Sequence, residues 1–328
     1  MSLTLLLGSG VTLYVVACLA YVHRWRGQVR YASLGQYVRK SWPVFAPFNC
    51  LLYMNTRRAA RGPVLDADYL EGIGVLRARW ATIRDEALAL HRAGALEATA
   101  KPGSAGYHDL GFRTFYKRGW RKFYLCWYGR GYRSAQATCP ATLEAVAQVP
   151  GIRAAMFSIL PPGAELSLHS DPLACSLRYH LGLDTPNEDA CFIDVDGVAL
   201  SWRDGRDFVF DETYPHHVRN GSDRPRLILM CDVERPMHPL GRLVNRPYSL
   251  IARAMMVPNT DADARGAITA LFARLAPWRA RGLDLKARRR RLYLLLKLGL
   301  NTLLLAALCG ALLALLRLLE VGLVATMR

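Results

Sequence analysis

The stretch Ser176-Leu177-Arg178-Tyr179-His180-Leu181-Gly182-Leu183 decides how this chain is read. Along an extended strand, side chains alternate between faces. Arg178 and His180 then share one face, and Leu177, Tyr179 and Leu181 the other. Similar short apolar runs lie around it, at Phe123–Trp127, Ala154–Leu160, Cys191–Val195, Phe208–Phe210 and Leu227–Val233. They are rich in aromatic and β-branched residues and broken by Pro, Gly and Asp, with Pro161-Pro162-Gly163 and Asp196-Gly197 as turns. Several short strands at close spacing predict a sandwich or barrel, and a jelly roll of two packed sheets is the economical form. Upstream the texture is helical. Tyr69, Ile73, Leu76, Trp80, Ile83, Ala87 and Leu90 step by three and four, which predicts one amphipathic helix from Asp68 to Arg92, capped by Asp66 or Asp68. Residues 93–111 read as a connection rich in Gly and Ala.

Of 328 residues, 52% are hydrophobic and 21% charged, which excludes a disordered chain and a multi-span transporter. The net charge of +17 points toward nucleic acid or an anionic membrane, and its location decides between them. Residues 23–62 hold eight Lys and Arg and no acid, and residues 237–297 hold thirteen against three Asp. The stretch between carries 20 basic and 22 acidic side chains. A neutral core with two cationic arms is not a nucleic-acid domain. Each arm abuts an apolar run, Leu3 to Val22 or Leu298 to Leu316, of the ~20 residues that cross a bilayer. Positive charge follows the first run rather than preceding it, so a cleaved signal peptide is disfavoured. The expectation is two terminal transmembrane helices, with residues 23–297 on the cytoplasmic side, their basic arms against anionic lipids of the inner leaflet. Eight scattered Cys without a C-x-x-C pair fit reduced thiols.

Two places collect metal-capable side chains. His169-Ser170-Asp171 puts a His and a carboxylate two apart, on one face of a strand, and His216-His217 supplies a further imidazole. Two His and one carboxylate with open positions opposite make the facial triad of non-haem Fe(II) oxygenases. Arg178, and Arg226 at the head of an apolar run, each need a buried anion. A protein carboxylate is the structural explanation and a dicarboxylate cosubstrate the functional one.

The strings Leu-Arg-Tyr-His-Leu-Gly-Leu (177–183), Cys-Phe-Ile-Asp-Val-Asp-Gly (191–197), Ser-Trp-Arg-Asp-Gly (201–205), Phe-Asp-Glu-Thr-Tyr (210–214) and Cys-Asp-Val-Glu-Arg-Pro-Met (231–237) carry a resemblance. The chain resembles the aspartyl/asparaginyl β-hydroxylase family of Fe(II)- and 2-oxoglutarate-dependent dioxygenases, most closely its bacterial lipid A hydroxylases. The resemblance implies a double-stranded β-helix (jelly roll) with Fe(II), 2-oxoglutarate and O2. It matches His169 and His216 to the iron ligands, Ser158 and His180 to the cosubstrate carboxylates, and Arg178 and Arg226 to the two ends of the cosubstrate. The animal members that act on protein side chains have Gly where this chain has Asp171, so Asp171 is expected to complete a triad.

The resulting expectation is a mainly β dioxygenase core at 112–240, behind an anchor at 1–22 and a basic helical region at 23–111. A basic arm (241–297), a second span (298–316) and a short tail follow. Its substrate is expected to be a membrane lipid: lipid A, hydroxylated at C2 of an acyl chain. The alternatives are an ornithine-containing aminolipid, Asp or Asn in a protein, and a silent membrane scaffold.

Overall fold

The computed structural model describes residues 3–109, 111, 116–303, 306, 307 and 310. Among them are eleven strands: β1 (Val64–Leu65), β2 (Arg121–Trp127), β3 (Arg130–Gly131), β4 (Ile152–Leu160), β5 (Glu165–His169), β6 (Ser176–Asp184), β7 (Cys191–Val195), β8 (Val198–Ser201), β9 (Asp207–Phe210), β10 (His216–Asn220) and β11 (Arg226–Glu234). They form a seven-stranded sheet ordered β1-β9-β6-β11-β4-β2-β3 and a four-stranded sheet ordered β5-β10-β7-β8. From β4 onward the chain passes from one sheet to the other at every connection except β7 to β8. That alternation of antiparallel strands is the jelly roll expected from the sequence. The β7–β8 hairpin turns on Asp196-Gly197, both with positive φ, as a two-residue turn requires.

The helices are α1 (Leu3–Arg24), α2 (Leu34–Lys40), α3 (Ala46–Asn55), α4 (Gly74–Ala78), α5 (Trp80–Arg92), α6 (Ala95–Ala98), α7 (Arg133–Thr138), α8 (Pro140–Ala147), α9 (Pro239–Ala254) and α10 (Ala267–Arg288). The single helix expected from Asp68 to Arg92 is broken. Asp66 caps only a short 3-10 turn, Ala67–Tyr69, Gly72 then takes φ +77°, and α4 and α5 meet at a kinked Arg79. The apolar positions still face one way. Ile83, Ala87 and Leu90 of α5, with Ala145 and Val146 of α8, cover the outer face of the large sheet. There they meet Leu177, Tyr179 and Leu181 of β6 and Leu227, Leu229 and Cys231 of β11. Each fully buried Leu-sized side chain contributes roughly 1.5–3 kcal/mol.

The inner face is set by register. On β11, Ile228 lies opposite Ser158 and Gly182, Met230 opposite Met156 and His180, and Asp232 opposite Ala154 and Arg178. Ser158, Arg178, His180 and Arg226 therefore all point between the sheets. Gly182 has a steric reason: a Cβ there would sit 2.0 Å from the Arg203 carbonyl oxygen. That approach lays Trp202 across the site.

Contacts divide the chain into two compact units, 1–270 and 271–328. All eleven strands and α1–α9 lie in the first, and the second begins inside α10. Among the described residues no helix is long and apolar enough to cross a membrane, so the expected terminal transmembrane helices are not found there. The first apolar run forms α1, and one side of its later half makes protein contacts. Tyr14 donates to the Pro47 carbonyl at 2.7 Å, and Cys18 is buried. Most of Leu298 to Leu316 lies outside the described residues.

A buried ion triad ties the N-terminal region to the jelly roll. Asp211 accepts from Arg26 and from Arg235, each at 2.8 Å, and all three side chains are almost fully buried. Arg235 also donates to the carbonyls of Ala174 and Ser176, fixing the start of β6. Burial alone would raise the Asp211 carboxyl, but Arg235 and Arg26 outweigh it and hold it below the usual carboxylate range. Its contribution to stability is thus present above an unfolded value of about 3.9 and is lost as pH falls through the folded value. Asp211→Asn strands two buried cations, and we expect a loss of about 3–5 kcal/mol at pH 7 in denaturant unfolding. The variant should also lose the part of the parent's acid sensitivity that Asp211 supplies.

Candidate active site

β5 ends on His169 and β10 begins on His216, and the antiparallel ladder sets them opposite one another. Their ring centroids are 4.2 Å apart. Asp171 follows two residues beyond β5, its backbone N–H donating to the Glu212 carbonyl at 2.8 Å. Its Oδ1 lies 3.7 Å from His169 Nε2. One ligand atom from each of His169, Asp171 and His216 lies within 4.8 Å of the others.

Each imidazole turns Nδ1 to a carbonyl two residues earlier, His169 to Ser167 and His216 to Tyr214, both at 3.0 Å. An Nδ1–H donating there leaves the Nε2 lone pair for the cluster, which is the tautomer a metal requires. Burial pushes His216 down to about 3, with His169 adding to the effect, and lowers His169 as well. Burial would raise Asp171, but His216, His169 and Arg178 hold it below the usual range. Two neutral imidazoles and one carboxylate suit Fe(II). His217 leaves β10 on the other face, partly exposed, 3.9 Å from Asp194.

Ser158, His180 and Arg226 form a second group on the inner face of the large sheet. Arg226 is 1% exposed, yet among the described residues no carboxylate lies within ion-pairing distance of it. Its Nη2 donates to Ser158 Oγ at a long 3.4 Å, and its Nε has no partner. The guanidinium lies 4.4 Å from the Trp202 ring centroid and 5.3 Å from that of Trp120. Burial lowers its pKa to about 10, so it stays charged at neutral pH. Trp202 Nε1 donates to His180 Nδ1 at 3.3 Å, which puts the His180 proton on Nε2, and that atom too has no partner. Burial, then Arg226 and Arg178, keep His180 neutral. A buried cation and a buried N–H, both unsatisfied, fit an incoming carboxylate-bearing molecule.

Arg178 stands apart from this group. Expected beside the cosubstrate, it is instead engaged by protein carboxylates: Glu212, Asp232 at 3.0 Å and Asp171 at 3.6 Å. Burial raises both Glu212 and Asp232, with Arg178 opposing. Ser176 Oγ donates to Glu212 and Tyr128 to Asp232. Glu212, Asp232 and Trp202 had no assigned role in the sequence reading. Each lies within one of its distinctive strings, and for Asp232 a charged residue inside the apolar strand β11 is the available clue.

Residues 77–236 match the family described as aspartyl/asparaginyl beta-hydroxylase. The resemblance carried by the strings from 177 to 237 is thereby shown for this segment. An ornithine lipid ester-linked acyl 2-hydroxylase of Rhizobium tropici is 36% identical over 140 residues, covering 42% of this chain and 49% of that protein. The human aspartyl/asparaginyl beta-hydroxylase is 31% identical over 176 residues, covering 52% of this chain and 22% of that one. The chain thus spans about half the length of the first relative and less of the second. A Pseudomonas putida prolyl-4-hydroxylase structure aligns over 56% of this chain and 99% of its own, with 18% identity and a TM-score of 0.34.

The geometry predicts which histidine matters. His169→Ala, His216→Ala and Asp171→Ala should each weaken Fe(II) or Mn(II) binding by more than tenfold in anaerobic titration. His217→Ala should bind like the parent. Weak binding in His217→Ala with normal binding in His216→Ala would mean that the β10 register is shifted by one residue.

Proposed function

We propose that this chain, through its aspartyl/asparaginyl β-hydroxylase segment, is an Fe(II)- and 2-oxoglutarate-dependent dioxygenase that hydroxylates an acyl chain of a membrane lipid. One observation carries the reading: a His169–Asp171–His216 cluster faces the same inter-sheet space as an unpaired, buried Arg226. His169, Asp171 and His216 would hold the metal. Arg226 would take the far carboxylate of 2-oxoglutarate in a two-pronged contact, supported by Ser158. His180 Nε2–H is a further donor for the cosubstrate. Arg178, held by Glu212 and Asp232, positions Asp171. Bound iron with 2-oxoglutarate and O2 supplies oxidative decarboxylation coupled to hydroxylation, yielding succinate and CO2. The protein's part is placement and exclusion of water, for which Trp120, Trp202, Phe208 and Phe210 wall the inner face.

The substrate reading is C2 of an ester- or amide-linked acyl chain. That carbon adjoins the carbonyl near the headgroup, within reach of a site pressed against the leaflet. Lipid A is the substrate proposed from the sequence strings. An ornithine lipid is the second reading, favoured by what the Rhizobium tropici relative is called. A protein Asp or Asn is disfavoured by Asp171 in the metal cluster. The terminal apolar runs and basic arms support placement at a bacterial inner membrane, with the catalytic region cytoplasmic.

Mass spectrometry of total lipids from cells with and without the gene tests the substrate. Lipid A and ornithine lipids should be read separately, and a 2-hydroxyacyl product confined to one of them decides between the two. In vitro, Arg226→Lys should raise the 2-oxoglutarate requirement by more than tenfold, because a point charge cannot replace the planar fork. The same variant should lose the thermal stabilisation that 2-oxoglutarate gives the metal-loaded parent. Unchanged stabilisation would move the far carboxylate to another residue.

A further inference from the structure

The outer face of α9 is apolar and faces solvent. Leu240, Leu243, Leu250 and Ile251 are 61%, 57%, 67% and 51% exposed, and Pro247 between them is exposed as well. At spacings of three, seven, ten and eleven from Leu240 they make one continuous helical stripe. Isolated exposed leucines need no explanation, but a stripe this long marks a contact surface. The opposite face of α9 is fixed to the jelly roll. Gly241 packs on Asn55 and Met237, Asn245 donates to the Cys175 carbonyl at 2.8 Å, and the Ala252 carbonyl accepts from Trp127 Nε1 at 2.6 Å. The stripe therefore cannot turn inward. α3, packed beside α9 through Asn55, adds exposed Leu51 and Met54. Met54 also lines a cavity of about 500 Å³ that reaches from Tyr21 and Tyr53 to the Arg26–Asp211–Arg235 triad.

Charge narrows the choice of partner. Arg242, Arg246 and Arg253 are exposed on α9, and Arg57 and Arg58 follow α3. Residues 23–62 and 237–260 contain no Asp or Glu. A second copy docked on the same face would bring arginine against arginine, because a two-fold interface pairs a surface with itself. An apolar stripe flanked along one side by Arg242 and Arg246, on a helix lying flat, fits a bilayer surface bearing anionic headgroups.

We propose that α9, with the adjoining end of α3, is an interfacial docking face for an anionic lipid bilayer. This rests on the lipid-hydroxylase reading for its purpose, though not for its physical basis. The face is coupled to the metal cluster through short bonds. Asn49 of α3 donates to the Pro172 carbonyl at 2.9 Å and accepts from Ala174 N at 2.9 Å, while Asn245 of α9 holds Cys175. Both helices thus grip the segment after β5 that carries Asp171. Seating them on a leaflet would set the distance between the cluster and the acyl carbonyls.

The test uses the full-length chain with an environment-sensitive fluorophore at Leu243→Cys or Leu250→Cys. Val198→Cys, on the exposed β7–β8 hairpin, is the control, and the unsubstituted chain is the blank. These positions are solvent-facing, so the fold should tolerate them. In vesicles of phosphatidylglycerol and phosphatidylcholine, positions 243 and 250 should shift to shorter emission wavelength and be quenched by spin-labelled lipid. Position 198 should stay in water, and the shift should weaken in pure phosphatidylcholine. Emission at 243 and 250 matching that at 198 in anionic vesicles overturns the proposal. So does a full shift before lipid is added, which would mean that protein covers the face. Hydroxylated lipid is measured in the same vesicles with lipid A or an ornithine lipid included and Fe(II), 2-oxoglutarate and O2 supplied. Insertion without product sustains the docking face and removes the hydroxylase reading, whereas product with both labels in water does the reverse.

Discussion

His169 and His216 stand opposite one another across the β5–β10 ladder, and that register governs the rest of the site. Because side chains alternate along a strand, a slip of one residue would aim His217 inward and turn His216 toward solvent. The ladder belongs to the small sheet, whereas Ser158, His180 and Arg226 belong to the large one. Neither sheet holds a complete site. Folding one over the other is what places a metal-type cluster against an unpaired cation, and the jelly roll performs that closure through its alternating connections.

The two inward arginines show how the surroundings divide similar residues between tasks. Arg178 is ion-paired with Glu212 and Asp232 and lies near Asp171, so its charge is answered within the protein. It stands 3.6 Å from Asp171 and, after His216 and His169, helps hold that carboxyl below the usual range. Arg226 is more deeply buried and has aromatic rings and a serine for company. Holding a guanidinium there without an anion is unfavourable by several kcal/mol. A protein retains such an arrangement when a ligand completes it.

Much of this was legible in the sequence, for a physical reason. β4, β6 and β11 lie in the middle of the large sheet and are buried on both faces, so they appear as near-continuous apolar runs. β7 was read with the same bounds. β5 and β10, which carry the two histidines, are not among the apolar runs, and the strand face expected to hold both His169 and Asp171 ends at His169. Glu165–His169 and His216–Asn220 are short, polar and half open to solvent, and only pairing makes them strands. The helix over Asp68–Arg92 kept its apolar face but not its continuity, since periodicity does not register a change of backbone direction at Gly72. The His169–Asp171–His216 grouping was suggested by residue type, spacing and resemblance, and the fold brings the three side chains together. That Arg178 would be met by Glu212 and Asp232, 34 and 54 residues further on, depended on tertiary contact and had no local signature.

The central claim is that one oxygen atom of O2 enters a lipid acyl chain while the other leaves with the cosubstrate. Heavy-oxygen O2 supplied to the iron-loaded protein with 2-oxoglutarate and an acyl lipid tests it most directly, with both products read by mass spectrometry. The account predicts one heavy atom in the new lipid hydroxyl and one in succinate, in equal yield. Succinate formation without any heavy atom in lipid, or no oxygen-dependent turnover at all, would contradict it.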